Sequence, residues 1–172
     1  MIDIGEDLVG AYLSRIERCS IVQFNVRTGI EQAEIDVVGL ALEGNRVSRV
    51  WLCEVSTHTG GLGGYGGDAA GKIRKKLASV RTYADTSFPG VPRIIELWSP
   101  RVTPAMSKRL EPLLNEVSDV ALIANSAYSA RVHALAHHAR KETAFSDSPA
   151  FRLLQILTRL PDSPLDLTPR SA

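Results

Sequence analysis

IDVVGLALEGNRVSRVWLCEVS, Ile35 to Ser56, is two runs of strand-forming residues around a turn. Glu43-Gly44-Asn45-Arg46 carries the turn chemistry. The flanking runs, Ala33 to Leu42 and Val47 to Ser56, lie too close in sequence to pair in parallel, which takes a crossover of a dozen residues or more. They form an antiparallel hairpin. Each run carries one acid among apolar residues, Asp36 and Glu54. A buried carboxylate is costly unless it is paired or binds a metal. A three-residue turn, Gly44 to Arg46, sets Glu43 across from Val47. Counting back from there, Asp36 faces Glu54 and both point to one side of the sheet. Two converging carboxylates suit Mg²⁺, which takes one or two of them plus water and phosphate oxygens. A two-residue turn would separate them onto opposite faces.

Upstream of the hairpin, Ile4 to Cys19 reads as a helix, with Leu8, Tyr12 and Ile16 recurring every four residues. Glu6 and Asp7 sit in its first turn, where the helix dipole favours acids. Ser20 to Arg27 reads as a strand. Downstream, Lys72 to Ala84 is an amphipathic helix with Ile73, Leu77, Val80 and Ala84 on one face. Val91 to Ser99 is a strand, and Thr103-Pro104 opens a helix running to about Val117. Asp119 to Ala124 is a short strand. A helix from Ser126 to about Arg140 follows, then one from Ala150 to Leu160 after Ser148-Pro149. The order is αβββαβ extended by αβαα, an α/β fold with a mixed central sheet flanked by helices.

The 172 residues, 44% hydrophobic and 23% charged, suit one soluble domain over residues 1–160 and a flexible proline-rich tail over 161–172. The net charge of +1 neither demands nor excludes a polyanionic partner. Cys19 and Cys53 form no disulfide framework and read as small buried residues of a reducing compartment. No signal peptide and no membrane-spanning run is visible, so a cytoplasmic protein with no membrane partner is expected.

From Gly66 to Lys72 the chain spells G-x-x-x-x-G-K, the start of a phosphate-binding loop. Ile73 stands where such a loop has the Mg²⁺-binding Ser or Thr, and the strand before it belongs to a hairpin. The loop reads better as the border of an active site, and ATP and GTP are expected to bind poorly. His133 and His137 are four apart on a helix, but Ala134 stands where a zinc protease has its glutamate. They read as a polar face. Trp51 and Trp98 read as core.

Glu6 in a first helix, Asp36 in IDVVG, Glu54 in WLCEVS and a following helix with lysines together resemble the PD-(D/E)XK nuclease superfamily. The resemblance spans roughly residues 4 to 100 and implies the restriction-endonuclease-like αβββαβ core. It implies Mg²⁺ or Mn²⁺ held by Asp36 and Glu54, with Glu6 supporting a second ion or orienting water. The family lysine two residues after the strand glutamate is replaced by Ser56. Some members of such a family carry that lysine on the next helix. There, Lys72 and Lys76 flank the apolar stripe and can reach back over the sheet, while Lys75 points farther towards solvent. Lys75, Arg74 and Arg81 suit the DNA backbone. The function implied is a metal-dependent nuclease hydrolysing DNA phosphodiester bonds, in repair, restriction or defence, with a homodimer or a protein partner compatible. Two rival readings are an inactive nuclease-fold protein binding DNA or a partner protein, and a nucleotide-binding protein using Gly66 to Lys72.

Overall fold

The computed structural model describes residues 2–29, 33–57, 62, 68–116 and 119–161. Its elements are α1 (Ile4–Arg15), β1 (Ile21–Arg27), β2 (Glu34–Glu43), β3 (Arg46–Val55), α2 (Ala69–Ser87), β4 (Arg93–Ser99), α3 (Pro104–Glu116), β5 (Val120–Ala124), α4 (Ser126–Lys141) and α5 (Pro149–Leu157). The protein is α/β. One five-stranded mixed sheet, in the order β1-β2-β3-β4-β5, is flanked by helices. The first two pairings are antiparallel and the last two parallel. The crossovers β3-α2-β4 and β4-α3-β5 supply the helices that parallel neighbours require.

Strand alternation sorts the core into two layers. Val50 and Leu52 of β3 join Ile95 and Leu97 of β4 against Ile73, Leu77 and Val80 of α2 and Leu110 of α3. The residues between them, Trp51, Cys53 and Trp98, pack on the other face against Val9 and Leu13 of α1, Leu135 of α4 and Phe151 of α5. Both tryptophans and both cysteines are buried, and the cysteines are free thiols. Glu54 belongs to the α2 side by the same alternation.

The hairpin turn differs from expectation. Glu43 pairs with Arg46, so the turn has two residues, with Gly44 at φ +61°. A β-bulge then intervenes: Leu42 pairs with Val47, but Ala41 pairs with Arg49. Ser48 is the extra residue, and its hydroxyl donates to the Ala41 carbonyl at 3.3 Å. The bulge shifts the register by one residue. Beyond it Gly39 faces Trp51 and Val37 faces Cys53. One step further along that register, Asp36 stands across from Glu54, where the three-residue turn would have put it.

Helix α2 also starts earlier than its apolar stripe suggests, at Ala69, with the Asp68 carboxylate accepting the Gly71 N–H at 3.1 Å. Gly66 and the proline-rich tail from residue 162 lie outside the described residues.

Candidate active site

Asp36 and Glu54 meet under α2. Beyond the Val37–Cys53 pair the β2–β3 ladder gives way, and the Asp36 side chain takes over. Its Oδ2 accepts the Val55 N–H at 2.6 Å. The same carboxylate lies 3.4 Å from Lys76 Nζ through both oxygens. Lys76 also forms an ion pair with Glu54 Oε2. One ammonium thus bridges two carboxylates that are 8% and 4% exposed.

The electrostatics of the pair are asymmetric. Burial and the neighbouring Asp36 charge push the Glu54 carboxyl up to about 8, against the opposing pull of Lys76. Among the described residues Glu54 Oε1 accepts no hydrogen bond, nor does the Ser56 hydroxyl have a partner. An orphaned carboxylate oxygen in the interior is the arrangement a cation relieves. The donor set is hard oxygen only. Among the described residues no three His, Cys, Asp or Glu side chains converge. Two carboxylates are sufficient for Mg²⁺, which keeps several of its waters, and these residues fit that ion.

Of the two lysines able to reach the sheet, Lys76 is the one at the carboxylates, while Lys72 is exposed one turn nearer the start of α2. Lys75 is exposed as well. Arg74 pairs with Glu116 at 3.2 Å, and Arg81 pairs with Asp119, so both arginines tie α2 to the neighbouring α3–β5 segment. Asp68 occupies the helix N-terminus that a phosphate would need, and its charge opposes an anion there.

Glu6 lies at the start of α1. Its Oε2 accepts from the Asp3 N–H at 3.1 Å and the Asn25 amide at 3.5 Å, completing a capping box. The helix start itself sits against the end of β3. Thr57 Oγ1 donates to Asp3 Oδ1 at 2.8 Å, and a Cβ on Gly5 would fall 2.1 Å from Thr57 Cγ2. Only glycine permits that approach. His133 and His137 are exposed on α4.

Sequence reasoning misses a second buried charge cluster, on the opposite face of the sheet. Glu96 of β4 is 3% exposed, and burial raises its pKa. It accepts from the Trp98 indole at 2.9 Å and lies 3.3 Å from Arg131 of α4. Arg131 also pairs with Glu17 at 2.8 Å and stacks over the rings of Tyr12 and Trp98. Its signal is in plain view, since Glu96 is an acid in the apolar run RIIELW, as Asp36 and Glu54 are in theirs. This cluster is saturated with partners and reads as a clamp joining α1 and α4 to the sheet. Arg131→Met should therefore cost about 3 kcal/mol of stability, the lower end for stranding a buried charge. Urea unfolding measures it, and a loss below about 1 kcal/mol would show that the clamp is dispensable.

No family model, curated protein or solved structure matches this chain. Among the described residues no helix is long and apolar enough to cross a membrane.

Proposed function

We propose that the protein is a metal-dependent nuclease that hydrolyses DNA phosphodiester bonds, with the restriction-endonuclease-like core as its scaffold. The observation that carries this reading is the bridge from Lys76 to both Asp36 and Glu54. Two carboxylates and one ammonium are the minimum that such hydrolysis asks of a protein: somewhere to hold a cation, and a positive charge beside the phosphate. Asp36 and Glu54 would hold Mg²⁺ or Mn²⁺. Once bound, the ion lowers the pKa of its water and offsets charge at the phosphate.

The remaining roles belong to the chain. The Val55 N–H fixes one Asp36 oxygen and so orients the other. The Lys76 side chain, 31% exposed, is long enough to turn its ammonium towards a docked phosphate while its stem stays against the sheet. Lys72 and Lys75 are exposed on the same helix and would meet backbone phosphates without reading sequence. The serine at position 56 speaks for a DNA binder that does not cut, whereas Lys76 against both carboxylates speaks for an enzyme.

The test is direct. Purified protein is mixed with plasmid, linear, single-stranded and branched DNA in Mg²⁺ or Mn²⁺, with EDTA as control. Metal-dependent cleavage that Asp36→Ala abolishes is expected. Binding without cleavage under every condition would leave the silent-binder reading in its place.

A further inference from the structure

Ser56 is an odd residue to find where it stands. It is 3% exposed, just past the end of β3, and its backbone N–H donates to the Trp98 carbonyl at 2.8 Å. Alternation puts its side chain on the same face as Glu54. Its hydroxyl has no hydrogen-bond partner among the described residues. A buried hydroxyl without a partner costs about 1–3 kcal/mol, so an apolar residue would serve packing better. Glu54, Ser56 and Lys76 line one small cavity of about 10 Å³, walled by Ile73 and Leu97. That is about the room one water needs, and a buried water typically makes two to four hydrogen bonds. Ser56, Glu54 and Lys76 are the polar residues of the cavity lining, and the Ser56 hydroxyl and Glu54 Oε1 have no hydrogen-bond partner among the described residues.

We infer that Ser56 is a positioning residue: it holds a buried water against Glu54 and Lys76, and through that water it fixes the Lys76 ammonium for the hydrolysis proposed above. The inference rests on that reading for its kinetic half. The lysine that the resemblance leads one to expect at position 56 is then divided in two, its charge supplied from α2 and its anchoring supplied by a hydroxyl on the strand.

Two measurements test it. A crystal structure of the wild-type protein at a resolution that shows ordered waters should place one within hydrogen-bonding distance of Ser56 Oγ and of Glu54 or Lys76. Density showing a dry cavity overturns the water site, whatever the protein cuts. The second is kinetic. Ser56→Ala should lower kcat by about 10-fold, the worth of one hydrogen bond, with KM unchanged. Its thermal stability should change little, because alanine fills nearly the same space and the loss is one hydrogen bond to the water. Ser56→Gly leaves space for a second water in place of the hydroxyl, so it should cut faster than Ser56→Ala although glycine makes it less stable. A purely structural serine predicts the reverse order, and Ser56→Ala cutting at the wild-type rate overturns the positioning role. A wild-type protein that never cuts DNA removes the nuclease reading and the kinetic half together, and the water site is then decided by the density alone.

Discussion

Lys76→Ala should lose about 10²-fold or more in turnover, while Lys72→Ala and Lys75→Ala keep most of it. The magnitude is that of removing one preorganised charge-stabilising donor from a site largely shielded from water. Helical phase leaves Lys72 and Lys76 equivalent, because they lie four residues apart on one side of α2. Position along the helix axis separates them. Four residues advance the chain by about 6 Å, and Lys76 is level with the carboxylates. DNA affinity should fall little in any of the three variants, by roughly one phosphate contact's share of the salt dependence. Turnover and binding therefore have to be measured separately. Equal rates for Lys72→Ala and Lys76→Ala would mean that the bridge to Asp36 and Glu54 is an ordinary ion pair. The Lys76 variant should also lose stability, because two buried carboxylates lose the ammonium they share. The loss should be about 1–2 kcal/mol, since the lysine is partly solvated.

The two acids of this site are legible in the sequence itself. Asp36 and Glu54 stand out because apolar strands have no use for them, and a hydrophobic pattern marks such exceptions directly. Counting from a three-residue turn brings them together, yet that turn does not occur. The actual turn is one residue shorter, and the Ser48 bulge adds that residue back. The two offsets cancel, so the register at Asp36 is the same by either route. Nothing in RVSRV announces a bulge, because whether a strand takes one depends on how its neighbours twist. The start of α2 is hidden for a different reason. Its apolar stripe begins at Ile73, while the helix begins a turn earlier at Ala69 with Asp68 as its cap. The aspartate is the signal there, since it is among the preferred N-cap residues. Arg131 is a third case. It meets Glu96 from 35 residues away in sequence, with all of α3 and β5 between them. No local pattern encodes such a contact. It follows from the packing of α4 on the sheet, which only the folded chain displays.

Glu54→Gln should abolish cleavage and make the metal-free protein more stable above about pH 8. Both halves follow from one buried carboxyl. Its pKa rises from an ordinary 4.5 to about 8 in the folded chain, so the native state binds a proton that the unfolded chain has already released. Stability from this group is complete below about pH 4.5, falls as pH rises towards 8, and is flat beyond, when Glu54 is ionised in both states. Glutamine keeps the shape and never ionises, so the variant escapes that fall. The gain at pH 9 in EDTA should be of the order of 2–4 kcal/mol, or roughly 5–10 °C in Tm, and should shrink towards zero at pH 5. Glu96 shifts in the same direction, but it is present in both proteins and cancels from the difference. Adding Mg²⁺ or Mn²⁺ should reverse the ranking. An ion that binds only the folded wild type raises its Tm with concentration, and the variant, having lost half of the donor set, should respond weakly. Turnover should drop by at least about 10³-fold, because an ion at this site offsets several kcal/mol of transition-state charge. A residue kept for the fold would behave in the opposite way, its loss costing stability at every pH. If Glu54→Gln is less stable than wild type at pH 9 in EDTA, the carboxylate is held by the fold rather than kept for an ion, and the active-site reading falls with it.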